Sequence, residues 1–179
     1  MQLPPATALA LSDHLSRFIP EFPRADEITI EYRAGIPHRV TDNNQQAVPR
    51  SAADMVAFAA LKPLSFEPGA EHWYSSGGFS VLARVLELAR GAPHADLLEQ
   101  YVFRPAGMSH SSHTDRRQLL PGRAASYILD SHGQAVNTPL EDLSYLVGAG
   151  SVYSTARDLH AMLMAVRTGV FGAGAMHGW

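Results

Sequence analysis

The chain has 179 residues, 46% of them apolar and 17% charged, a balance that suits one globular domain with a sizeable core rather than a disordered chain. A formal charge of −3 argues against a nucleic-acid binder, which would show a basic stripe. With no cysteine there is no thiolate nucleophile, no disulfide framework and no thiolate-ligated metal.

Met1 to Leu15 lacks a basic start, and Pro4, Pro5, Ser12 and Asp13 break its apolar run, so it does not read as a secretory signal. No window reaches the roughly 18 apolar residues of a membrane span. Residues 9 to 19 form a short amphipathic segment ended by Pro20 and Pro23, and Ile28-Thr29-Ile30 alternates as a brief strand. Gly35 to Pro49 is polar and predicts a loop. Ser51 with Asp54 makes a capping box for a helix through about Leu61, stopped before Pro63. From Gly78 the set Phe79, Leu82, Val85, Leu86 and Ala89 follows helical spacing, with Arg84, Glu87 and Arg90 on the other face and Gly91 as the C-cap. Ala95 to Phe103 predicts another helix, broken at Pro105-Ala106-Gly107. Tyr127-Ile128-Leu129 runs into a hairpin-like turn at Asp130-Ser131-His132-Gly133. Thr155 with Asp158 caps a last helix whose expected core face is Leu159, Met162, Leu163 and Val166, ending near Gly169. The whole predicts a mainly α protein with a few short β strands.

The richest segment is Phe66 to Phe79. A Pro68-Gly69 turn leads through an extended aromatic run to Tyr74-Ser75-Ser76 at the mouth of a helix. A phenol beside a helix N-terminus can act as a general base when a cation stabilises its phenolate. A free phenol titrates near 10, and each unit of depression needs about 1.4 kcal/mol. The only lysine is Lys62; Arg33 and Arg50 are the other candidate cations, though nothing in the sequence places them. Ser75 and Ser76 also suit helix-start positions, where N-capping alone explains them.

Five landmarks in order resemble the serine beta-lactamase-related hydrolases: class C beta-lactamases, penicillin-binding-protein-like peptidases and esterases. Leu11-Ser12-Asp13 with Leu15 to Pro23 resembles the segment after that family's nucleophile helix. Ile28 to Ile30 and Gly35-Ile36-Pro37 resemble its next strand and turn. Tyr74-Ser75-Ser76 is similar to its Tyr-x-Asn motif, Phe103 to Met108 to its Phe-x-Pro-Leu-Gly-Met element, and Gly148 to Leu159 to its late Ser-Thr-Ala-x-Asp-Leu signature. The resemblance implies that Tyr74 stands at the general-base position and Ser76 at the family's Asn position. It also implies an α+β fold of which this chain carries the helical lobe, as a single partial domain over residues 1–179.

Two family motifs have no counterpart here. No Ser precedes Lys62 by three residues, since Ala59 stands there, and no Lys-Thr-Gly or His-x-Gly strand is found before the final Met176-His177-Gly178-Trp179. The resemblance therefore implies a fragment of a hydrolase that would cleave an amide, lactam or ester through a Ser acyl-enzyme, inactive by itself. The alternative is a non-catalytic helical binding module built on the same scaffold. No cofactor is implied. The expected partners are a small-molecule or peptide substrate for the intact parent and further copies of the chain through exposed apolar faces, with no nucleic acid and no membrane span. A third reading concerns His110, Ser111, Ser112, His113 and Asp115, which invite a metal site, although their spacing suits a solvated loop better. His72 and His132 read as surface loop residues, and Gly148 and Gly150 as turn glycines.

Overall fold

A computed structural model of the chain describes residues 9–31, 35–37, 49–114, 118–138 and 142–172. The expected loop from 35 to 49 lies mostly outside these, as do Arg33, Asp115 and residues 176–179.

Two helices form the centre. Helix α1 (Ala52–Ala60) opens on Ser51, whose hydroxyl accepts the Asp54 N–H while the Asp54 carboxylate accepts the Ser51 N–H, the capping box expected from these two residues. Helix α2 (Ser76–Arg90) opens on Ser75 and closes on Gly91 at φ 65, a left-handed conformation that glycine adopts without a Cβ penalty. The two helices pack together, α1 through Met55, Val56 and Ala59. The buried side of α2 is broader than its apolar spacing suggests. It contains Gly77, Gly78, Ser80, Val81, Ala83, Val85 and Ala89, while Phe79, Leu82 and Leu86 are only partly covered. Small residues let neighbours approach α2 on several sides at once.

The N-terminal segment lies against this pair. A single 3-10 turn (Leu15–Arg17) is followed by a run in which Ile19, Phe22, Ala25, Ile28 and Ile30 are all buried with the α1 and α2 side chains. The strand expected at Ile28–Ile30 is reduced to one antiparallel bridge, Thr29 to His14. Its two isoleucines are buried in the core, while their backbone bonds the 13–15 segment through the Leu15 N–H to the Ile28 carbonyl and the Ile30 N–H to the Asp13 carbonyl.

Helix α3 (His94–Leu98) widens into a π-helical turn (Glu99–Phe103) and continues as α4 (Arg104–Ala106) to Gly107 at φ 72. Pro105 therefore does not end the helix, as the sequence suggests. The wide turn routes the Arg104 N–H to Glu99 five residues back, just before the one residue that has no N–H to give, and the stop falls at Gly107. Strand β1 (Ser112–His113) pairs antiparallel with β4 (Val152–Tyr153), and β2 (Tyr127–Leu129) with β3 (Ala135–Asn137) across the expected turn. A 3-10 turn (Leu143–Leu146) precedes Gly148.

Helix α5 (Ala156–Arg167) is capped by Thr155 as expected, yet only half of its expected core face is covered, Met162 and Val166 but not Leu159 and Leu163. Asp158 and Ala165 are buried, with Ala161 and Met162 packed on a small cluster of Phe103, Ala106 and Met108. Leu159 is 59% exposed and Leu163 54%. Leu159 and Leu163 have core spacing, but the neighbouring stripe is the one that meets α4.

Candidate functional site

Residues 71–75 lead into α2 without regular secondary structure, and residues 71–74 are all exposed. Tyr74 points out and is 63% exposed, as is its neighbour Trp73 at 66%. Ser75 points in and is buried. Its hydroxyl accepts the Gly78 N–H at 2.8 Å and donates to the Ile36 carbonyl at 2.5 Å. One side chain thus caps α2 and ties it to the Gly35–Pro37 segment, which is in turn bound by the Ser65 N–H to the Gly35 carbonyl. Phe66 closes over the same glycine: a Cβ at Gly35 would stand 3.0 Å from the Phe66 carbonyl oxygen.

The loop before Tyr74 is held from another direction. The Arg24 guanidinium bonds the carboxylates of both Glu27 and Glu67, fastening the Glu67-Pro68-Gly69 turn to the N-terminal segment. With this run fixed at both ends, the Tyr74 ring settles on Phe79 in the first turn of α2, centroids 5.8 Å apart and planes tilted by 41°. Ser76 is the first residue of the helix and is half-buried. Tyr74 and Ser76 are thus brought to one helix mouth. Of the cations, Arg50 lies with its guanidinium 5.1 Å from the Phe58 ring centroid and gives its backbone N–H to Ser144. Lys62 is exposed just beyond α1, and Arg33 is outside the described residues.

Sequence reasoning missed what holds the back of α2. The Ser80 hydroxyl donates to the Val147 carbonyl at 2.9 Å, and Gly148 at φ +78 lies so close that a Cβ would be 2.4 Å from the Phe79 carbonyl oxygen. Gly148 is more than a turn glycine, because the chain there touches the helix backbone under Tyr74.

The histidine-rich segment is only partly a solvated loop, with His110 exposed and residues 111–114 buried or half-covered. Ser111 is buried, and its hydroxyl donates to Asp158 Oδ2 at 2.7 Å, where the His110 N–H also donates at 2.7 Å. Burial pushes the Asp158 carboxyl up, but the Ser111 hydroxyl, the His110 N–H and the nearby His110 ring outweigh it and hold it below the ordinary carboxylate value. His113 Nε2 meets the buried Ser151 hydroxyl at 2.8 Å. Among the described residues no group of three His, Asp or Glu side chains converges as metal ligands would. The cue missed was Asp158, which reads as a simple capping partner of Thr155 but also anchors residues 110 and 111.

Comparison with known proteins identifies the scaffold. Residues 1–175 match the beta-lactamase family. PbpX of Bacillus subtilis (strain 168), which carries the name of a penicillin-binding protein, is 29% identical over 175 residues, 94% of this chain and 43% of its own length. The human mitochondrial serine beta-lactamase-like protein LACTB is 32% identical over 113 residues, 61% of this chain and 20% of its own. The crystal structure of a penicillin binding protein from Bacillus halodurans superposes with a TM-score of 0.79 at 22% identity, covering 94% of this chain and 55% of that one. A D-amino acid amidase from Ochrobactrum anthropi SV3, complexed with D-phenylalanine, gives the same TM-score over 93% and 52%. The chain spans about half the length, or less, of the proteins it matches. Among the described residues no helix is long and apolar enough to cross a membrane. With its fold shared and residues 1–175 matched, the chain belongs to the beta-lactamase family.

Proposed function

We propose that this chain is the tyrosine-bearing helical lobe of a serine hydrolase that cleaves an amide, lactam or ester through an acyl-enzyme, and that residues 1–179 form part of one such domain. The observation that carries the reading is the Tyr74 phenol, exposed beside the first turn of α2 while the next residue is buried and held by two hydrogen bonds. Such a phenol can receive the proton of an attacking serine hydroxyl if a cation favours its phenolate. Ser76, one residue past the cap, suits a hydrogen bond to the substrate's amide. Relatives named for D-amino acid amidase and D-alanyl-D-alanine carboxypeptidase activity favour an amide substrate over an ester.

The nucleophile comes from a Ser-x-x-Lys helix that this sequence does not contain, so the chain by itself is inactive. Nitrocefin and p-nitrophenyl acetate should turn over at background rates, and a fluorophosphonate probe should label no serine. Turnover that disappears in Tyr74→Phe, or a labelled serine, overturns the inactivity. For the site itself, the flanking coding sequence is read for Ser-x-x-Lys and for His-x-Gly or Lys-Thr-Gly. If they are present, the longer chain should acylate with a fluorescent penicillin, and Tyr74→Phe should slow it by about 10²–10⁴-fold, the range for a lost general base. Equal acylation by that variant removes Tyr74 from the mechanism.

The apolar residues left in solvent on α5, Leu159, Leu163 and Met164, together with Ile128 and Val136 of the hairpin, favour association of copies of the chain. Light scattering behind size exclusion should show a mass above 19.4 kDa that falls on dilution.

A further inference from the structure

A second concavity lies at the other end of α2. Leu86 and Arg90 of α2 face Leu97 and Leu98 of α3 and Val102 of the π-helical turn across a cavity of about 230 Å³ with mostly apolar walls. Counting ten residues at 1.5 Å from Ser76 to Leu86 puts it about 15 Å along the helix axis from the Tyr74 end. That volume suits a small ring or branched chain.

Three polar groups border it. The Arg90 guanidinium stacks on Tyr101, 5.7 Å from the ring centroid, and no carboxylate pairs with it among the described residues. The nearest candidate on the same helix, Glu87, is committed elsewhere: one carboxylate oxygen accepts the His94 N–H at 3.0 Å and the other binds Arg84 at 3.1 Å. His94, buried to more than nine-tenths, also lines the cavity, and its Nδ1 has no hydrogen-bond partner. Its ring stands edge-on to His113 at 6.1 Å. Burial, and then the nearness of His113, hold it below the usual imidazole range against the opposing pull of Glu87, so it is neutral near pH 7. The π-turn that accommodates Pro105 also carries Tyr101 and Val102 into the cavity wall.

We propose that this cavity is a binding site for a small apolar monocarboxylate, its ring or branched chain lodged among Leu86, Leu97, Leu98 and Val102 and its carboxylate on Arg90. A guanidinium with no carboxylate beside it among the described residues, next to apolar walls, matches a ligand with one anionic end and one greasy end. The aromatic face of Tyr101 already holds the guanidinium over the mouth, so little ordering is left for the ligand to impose.

The probe is 4-fluorophenylacetate, followed by 19F NMR on the whole chain, with methyl and imidazole resonances of the protein read in the same titration. Saturable binding is expected, with shifts at Leu97, Val102 and His94. Arg90→Gln, at an exposed position that leaves the fold alone, should weaken it roughly tenfold, as expected for a lost charge-assisted hydrogen bond. Val102→Trp should abolish it by filling the space. Uncharged 4-fluorobenzyl alcohol should bind more weakly than the acid. No saturation, an unchanged affinity in Arg90→Gln, or shifts clustered around Tyr74 would overturn the proposal. Tyr74→Phe should leave the titration as it was, so failure here and failure of the hydrolase reading are separate results.

Discussion

The two ends of this chain bury their apolar residues to different degrees. Around α1 and α2, one continuous cluster takes in Leu15, Ile19, Phe22, Ile28, Ile36, Met55, Val81 and Val85, all almost wholly covered. Around α5 the corresponding cluster is Phe103, Ala106, Met108 and Ala165, and the residues of highest apolar content beside it, Leu159 and Leu163, stand in solvent. Each fully buried aliphatic side chain contributes about 1.5–3 kcal/mol, so the first region is held by its own packing. The second adds polar anchoring to that smaller cluster: Thr155 and Asp158 with Ser111 and His110. The residues that carry the proposed chemistry sit on the region with the complete core.

This contrast can be broken from the packed side first. Gly148→Ala forces a Cβ to 2.4 Å from the Phe79 carbonyl oxygen at a positive φ, and should cost ~3 kcal/mol or more, unfolding α2 with it in urea titrations followed by circular dichroism. Ser75→Ala removes a cap and strands the buried Ile36 carbonyl, a loss of about 1–2 kcal/mol by the same measurement.

On the other side the expected signature is pH rather than packing. Asp158 titrates below its unfolded value, so its contribution is complete above about pH 4 and disappears as pH falls through the lower, folded value. Melting temperatures measured from pH 7 to 3 should drop for the wild type, and Asp158→Asn should lower the neutral value while flattening the acid slope. A slope unchanged in that variant would assign the acid loss to other carboxylates. The smallest effect belongs to Leu159→Glu with Leu163→Glu, which should leave stability within about 0.5 kcal/mol because neither side chain is covered, while reducing the mass seen by light scattering. A large destabilisation there would show that α5 is packed after all.

Local chemistry in the sequence was sufficient wherever a side chain serves its own backbone. Ser51 with Asp54, Thr155, Gly91 and the 130–134 turn all do what their residue types imply. The order of motifs was enough to name the family and to put Tyr74 and Ser76 at one helix mouth. What escaped was set by partners far along the chain. The periodicity of α5 shows an apolar stripe but not which neighbour it will meet, and α4 meets the stripe beside it. Pro105 reads as a breaker because the sequence does not announce the π-turn that accommodates it. Asp158 and Gly148 look like local cap and turn residues, and only their contacts 47 residues back to Ser111 and across to Phe79 reveal the larger part they play.

The pair of hydrogen bonds made by Ser75 makes one amide an informative reporter. The buried Gly78 N–H is held by Ser75 Oγ, and that oxygen is oriented by its own donation to Ile36. Deuterium uptake at Gly78 therefore measures how often residues 35–37 lift from the mouth of α2. In a hydrolase assembled around Tyr74, the same single exchange rate would register how firmly residues 35–37 are held against that helix mouth.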